Sequence, residues 1–318
     1  MAFEWLNASL GDLADLFGIS TLMLNPLLAV ILLGTTCGMV GSTVVANRMA
    51  FFSDAMAHTA FAGISFAMLQ IILVTGINTT RETDQYFWMV QPIMVLVGVL
   101  SGILMVYVRE RTGLTNDTVI GVFFAFATGL GAVFLPAVHT LINYNPEQFL
   151  FGSVTLTRGE DLVFLGLLTL VTGFIIAWRY NELAIASFNP SLARSRGIST
   201  RANHYIFVIL IALVVNMSIN SVGVLLVNAL LVVPAAAASN LSRNLRQVFW
   251  ISLLGTVAAC VIGLQLSNYI VIPLGRGRTM TLAPSGTIVL ICVAWFFVTM
   301  VVAGLQGRLS SSANEKSG

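Results

Sequence analysis

Long apolar runs, broken by short polar stretches, fill this chain from about residue 19 to residue 306. A helix needs ~20 largely apolar residues to cross the hydrocarbon core of a bilayer. Runs of that order fall at 19–45, 54–75, 88–108, 118–138, 162–178, 203–220, 222–239, 248–271 and 284–306. The sixth and seventh almost touch at Asn220 and Ser221. They form either a tight helical hairpin or one span followed by a shorter broken element. The pattern therefore predicts eight or nine spans and favours nine. Pro234 lies deep in the seventh run, where a missing backbone N–H is expected to bend or break the helix.

The two ends read differently. In residues 1–18, Leu6, Leu10, Leu13, Ala14 and Phe17 share one helical face, with Glu4, Asp12 and Asp15 elsewhere. That pattern predicts a short amphipathic helix resting on a membrane surface. Residues 308–318 are polar and Ser-rich, which predicts a disordered tail. Between them, residues 19–307 read as one membrane domain. Charged residues make up 9% of the chain against ~25% in soluble domains, and mean hydropathy is +0.92. The fold class is an all-α polytopic membrane protein. A net charge of +2 is too small to suggest nucleic acid as a partner. A secretory signal opens with basic residues, and the first here is Arg48, so no cleavable signal is expected. Cys37, Cys260 and Cys292 lie inside apolar runs without metal-site spacing and read as packing residues.

Basic residues set the expected orientation. With the N-terminus outside and the C-terminus in the cytoplasm, only Arg81, Arg158, Arg276 and Arg278 of the 15 basic residues face outward. The loop 179–202 then becomes the most basic cytoplasmic segment. Gly34 and Gly38, like Gly98 and Gly102, stand four residues apart inside spans. Small residues at that spacing let helices approach closely in lipid, which is a packing role; a moving gate is the alternative.

Asp54 and His58 carry the main candidate chemistry. They are four residues apart at the head of an apolar run, so one helix presents both on one face. An ionisable residue within a span is a functional-site candidate, and a carboxylate with an imidazole suits a divalent metal. The structural alternative is that Asp54 caps the helix beside Ser53 and His58 bonds a neighbour. Asn216, Asn220 and Asn228 are further polar groups within spans. They either complete a polar path facing the pair or bond between helices, and the second is favoured. His139 reads as an interfacial residue and His204 as a lipid-headgroup contact. The basic segment after Pro234 is either a helix gripped by another protein or an ordinary flank. The only lysine is Lys316, so no phosphate-binding loop is present and any ATP-driven step needs a partner. Serine-hydrolase elbows and zinc-protease motifs are absent too. A proton-coupled secondary transporter remains as the competing class, since it too would use an intramembrane Asp and His. Against it, only one Pro-broken span is visible and no inverted second half.

Several stretches together resemble a known family. Arg48-Met49-Ala50-Phe51-Phe52-Ser53-Asp54-Ala55-Met56-Ala57-His58, with Gly63 following, is similar to the signature of the metal-type ABC permeases, importers of zinc, manganese and iron. Phe149-Leu150-Phe151-Gly152-Ser153 resembles their Tyr-Leu-Phe-Gly-Asp stretch, with Ser153 in place of the aspartate. Val222 to Ala236 resembles their long segment running from glycine to Pro-Ala-Ala, with Asn228 where many members have serine. Ala193-Arg194-Ser195-Arg196-Gly197-Ile198 stands where the family has a short turn. Asn47 stands where a second basic residue is common. The resemblance runs from about residue 20 to 306, in register with the expected spans.

The resemblance implies a type II ABC importer-like bundle in a bacterial inner membrane. Two copies, expected as a homodimer, would form the pore. Cytoplasmic ATPase subunits would dock on them, and an extracytoplasmic metal-binding protein would deliver the ion. It implies no permanently bound cofactor, only the transported metal. Zinc is favoured over manganese or iron from the Ala57-His58 context. It also implies that Asp54 and His58 line the metal path. Ser239, Leu241, Arg243, Leu245 and Arg246, after Pro234, would form the ATPase-coupling segment. Asn228 and Asn216 are the further pore-lining candidates.

Overall fold

The computed structural model describes residues 21–75, 80–142, 152, 154, 157, 159–188, 190–242, 244–275 and 278–315. The expected surface helix over residues 1–18 lies outside them. Ten helices follow in order: α1 (Thr21–Ala46), α2 (Ala50–Thr75), α3 (Thr80–Thr112), α4 (Asn116–Ile142), α5 (Gly159–Phe188), α6 (Pro190–Ser195), α7 (Thr200–Val222), α8 (Val224–Leu241), α9 (Leu245–Tyr269) and α10 (Pro284–Glu315). Among the described residues, nine helices are long and apolar enough to cross a membrane, all but α6. The count of nine is thus the one the sequence favours. In lipid every backbone polar group must be paired internally, which is why the apolar runs fold as helices.

Four details differ from expectation. The helices outrun the apolar stretches, because polar flanks such as Arg179 and Glu182 pair across 2.7 Å and continue α5. Residues up to Glu315 continue α10, where composition alone suggests a disordered tail. The bundle is all-α as expected, but the link between α9 and α10 carries a short hairpin, in which β1 (Val271–Gly275) and β2 (Arg278–Thr281) pair antiparallel with Val271 opposite Thr281. Pro234 does not break α8, which runs through it. The break comes at Gly223, a single residue between α7 and α8 with φ of 88°. Asn216 lies beside Gly98 on α3 while Asn228 lies beside Asp54 on α2, so the chain doubles back there.

Close backbone approach sets the helix pairing. A Cβ on Gly34 would stand 3.0 Å from Cys260 Sγ, and one on Gly38 would stand 2.8 Å from Leu253 Cα, so α1 lies directly on α9. At Gly41 it would overlap the Leu231 carbonyl, so α1 also lies on α8. The α3–α7 pair runs antiparallel over residues 98–110 of α3 and 201–216 of α7. Glu110 meets Arg201, Arg109 meets His204, Gly102 faces Val208 and Gly98 faces Asn216. Threonine and serine hydroxyls join further helices. Thr36 bonds Thr169 at 2.8 Å, Ser252 donates to the Gly38 carbonyl at 3.2 Å, and Thr287 donates to that of Gly263 at 3.0 Å. The glycine pairs are therefore packing seams. All three cysteines are free and buried, in keeping with a packing role.

The seam at Gly98 can be tested. A valine there would drive into Asn216, whose Oδ1 stands 2.6 Å from the added Cβ. Overpacking of this kind costs about 1–3 kcal/mol. Thermal unfolding of the detergent-solubilised protein should show a lower midpoint for Gly98→Val. Gly121→Ala, inside α4 with nothing within 4 Å of its Cβ, should hold or raise the midpoint.

Candidate functional site

The turn from α1 to α2 sets the position of Asp54. Arg48 adopts φ of 55°, and the Met49 and Arg48 amides close back on the Val44 and Val45 carbonyls at 3.1 and 3.0 Å. These bonds satisfy the end of α1 and release the chain straight into α2 at Ala50. Asp54 therefore sits one turn inside α2. An N-cap precedes its helix, so Asp54 is not the cap of this one. The hydroxyl of Ser53 is likewise spent on the Ala50 carbonyl, at 3.2 Å.

Asp54 and His58 project from one face of α2, and both are half-buried. Two other helices meet them. From α8, Asn228 Nδ2 donates to Asp54 Oδ1 at 3.0 Å. From α4, Phe124 packs edge-on against the His58 ring with centroids 4.4 Å apart. The pair thus lies between an amide on one side and an aromatic wall on the other. Asn228 joins the site, whereas Asn216 does not. Asn216 is fully buried against Gly98, and its Nδ2 is spent on the Ala212 carbonyl of its own helix at 2.6 Å. Asn220 is helical, but its side chain lies outside the description.

Chemically, the arrangement offers carboxylate oxygens and one imidazole to a cation. Among the described residues, no group of three or more His, Cys, Asp or Glu side chains could hold a metal ion. Among the described residues, the ionisable donors at this site are Asp54 and His58. Such a set binds weakly, which suits passage better than storage.

A profile of the ABC 3 transport family matches residues 20–303. The chain belongs to that family. Among its relatives, the manganese transport system membrane protein MntC of Listeria innocua is 26% identical over 91% of this chain and 93% of its own length. The high-affinity zinc uptake system membrane protein ZnuB of Buchnera aphidicola is 26% identical over 76% of this chain and 87% of its own. Among solved structures, PsaBC from Streptococcus pneumoniae in complex with Fab superposes with a TM-score of 0.69 at 21% identity, covering 91% of this chain and 95% of that one. The nine-helix bundle is thus that of an ABC transporter permease, the membrane-spanning subunit.

In this ABC 3 permease the segment after Pro234 forms a corner, not a separate helix. Ser239 and Leu241 occupy the last turn of α8. Ser242 ends that helix with its hydroxyl on the Ala238 carbonyl at 2.6 Å. Leu245 and Arg246 open α9, and Arg246 is exposed. Arg243 lies outside the described residues. Asn240 Nδ2 reaches Thr299 Oγ1 at 3.3 Å and ties the corner to α10.

The remaining histidines and charges follow a different logic. His204 does not stand free for a headgroup, because Arg109 Nη1 lies 3.0 Å from its Nε2. Guanidinium groups only donate, so that ring nitrogen accepts. Next to it, Arg201 Nε lies 2.8 Å from both Glu110 oxygens, and Tyr205 donates to Glu110 Oε2 at 3.2 Å. These partners are more than 90 residues apart in the chain, so spacing alone cannot find them. His139 is helical, but its side chain lies outside the description.

Gly152, the described residue of the family-like stretch, meets the α7–α8 joint. Gly152 has φ of 60°, and a Cβ there would overlap the Val222 carbonyl and the Gly223 nitrogen. Gly152→Ala should therefore displace the joint and lower the thermal midpoint of the purified permease. Gly197→Ala, with similar φ but open space around it, should lower it less.

Proposed function

We propose that this permease imports a divalent transition metal past Asp54 and His58. The observation that carries the reading is the carboxylate–imidazole pair on one face of α2, held from α8 inside an apolar bundle. Family membership supplies the transport class. Manganese stands in the name of the Listeria relative and zinc in that of the Buchnera relative. A carboxylate with an imidazole ligates both. The Ala57-His58 context favours zinc by resemblance alone, and these relatives do not single it out.

ATP is hydrolysed on a separate subunit docked at the corner of Ser239, Leu241, Arg243, Leu245 and Arg246. A metal-binding protein delivers the ion at the opposite end, and a second copy of this chain completes the pore. In this reading the α8–α9 corner faces the cytoplasm and the N-terminus lies outside, a reading supported by the uneven distribution of basic residues along the sequence.

Two measurements test this reading. Asp54→Ala should abolish uptake of labelled manganese and zinc in a strain lacking the native gene, with the protein still present in membranes. Uptake at the wild-type rate would remove the pair from the path. Substituting Leu241 and Arg246 together should leave ATP hydrolysis by the assembled complex no longer tied to metal uptake. Unchanged coupling would move the docking surface elsewhere.

A further inference from the structure

We propose that Asn228 is a third, exchangeable arm of the passage site. Its amide nitrogen holds Asp54 while no ion is present, and its carbonyl oxygen turns onto the ion when one arrives. This inference rests on the reading of Asp54 and His58 as the metal path.

The argument starts from what Asp54 needs. A carboxylate inside an apolar bundle requires donors, and Asn228 Nδ2 supplies one at 3.0 Å. The other end of the same amide is unpaid: Asn228 Oδ1 is buried and has no hydrogen-bond partner. Leaving a buried acceptor unpaired is unfavourable, and such groups call for an explanation. Asn216 also keeps an unpaired carbonyl, but its side chain is sealed against Gly98 with no ionisable group as its partner. Asn228 is half-buried and already touches the carboxylate.

An ion bound at Asp54 Oδ1 reverses the requirement. It repels the N–H group aimed at that oxygen and attracts lone pairs instead. An asparagine amide carries both functions on one planar group. Half a turn of that group removes the donor and presents the unpaired oxygen. The ligand set of one chain then grows from two side chains to three, with two oxygen donors and one imidazole nitrogen. A hydroxyl serves both states less well, and an alkyl group serves neither. An oxygen in the third position suits manganese, whereas a thiolate there would suit zinc or cadmium.

The test compares uptake of labelled manganese and zinc by cells whose only copy of this permease is wild type, Asn228→Leu, Asn228→Ser or Asn228→Cys. Leucine matches asparagine in size and lacks both polar ends. Asn228→Leu should raise the apparent KM for manganese about tenfold or more, as loss of a bond to a charged group predicts. Asn228→Ser should retain most of the wild-type affinity. Asn228→Cys should raise the ratio of zinc to manganese uptake several-fold. That ratio does not depend on how much protein reaches the membrane, so a poorly inserted variant still reports. A wild-type KM in Asn228→Leu, or a wild-type ratio in Asn228→Cys, overturns the proposal. Asp54→Ala in the same cells separates the two readings. Its failure to transport, beside normal Asn228→Leu kinetics, removes only the role of Asn228. Normal transport by Asp54→Ala removes the metal path itself.

Discussion

Backbone-to-backbone contact at α1 is the constraint on which the bundle depends. Lipid tails are as apolar as leucine, so burial alone does not draw membrane helices together. Packing and a few interhelical hydrogen bonds must do so. Three glycines along α1 let α9 and α8 approach to near contact, and Thr36 bonds Thr169 on α5. Every one of these neighbours takes its place from α1. Because α8 is fixed this way, Asn228 arrives beside Asp54, a residue 174 positions earlier in the chain.

The site balances two opposing needs. A carboxylate in a low-dielectric interior is costly unless paired. A site that paired it completely, with several ionisable ligands, would hold a cation too tightly to pass it on. The protein meets the carboxylate with a neutral amide and places the imidazole against the Phe124 ring. Neither of these two contacts brings an opposite charge to Asp54. Away from this site, opposite charges pair directly, as where Arg201 meets Glu110.

Much of this is legible in the sequence, for physical reasons. The spans are visible because lipid demands ~20 apolar residues in a row. Asp54 and His58 are visible because an ionisable residue inside such a run is rare. The contact from Asn228 to Asp54 is not legible, because it depends on how α8 crosses α2. Taken as a type, Asn228 is no different from Asn216, which the fold turns toward Gly98 instead. The hairpin between α9 and α10 is hidden because Pro273 and the glycines at 275 and 277 read as a simple loop. The break between α7 and α8 is nearly legible, but Pro234 is the louder signal. Proline weakens a helix locally, whereas the left-handed φ of Gly223 reverses it.

That one-residue joint has a mechanical consequence. With no loop between α7 and α8, any tilt of α8 about Gly223 would have to be carried along the whole helix and across its seams with α1 and α10. The 18 residues of α8 make it roughly 27 Å long at the usual helical rise. A tilt of about 10° at the Gly223 end would sweep the Ser239–Leu241 end through roughly 5 Å on that geometry. A small angular change at that joint would therefore correspond to a displacement comparable to one helical turn at the far end.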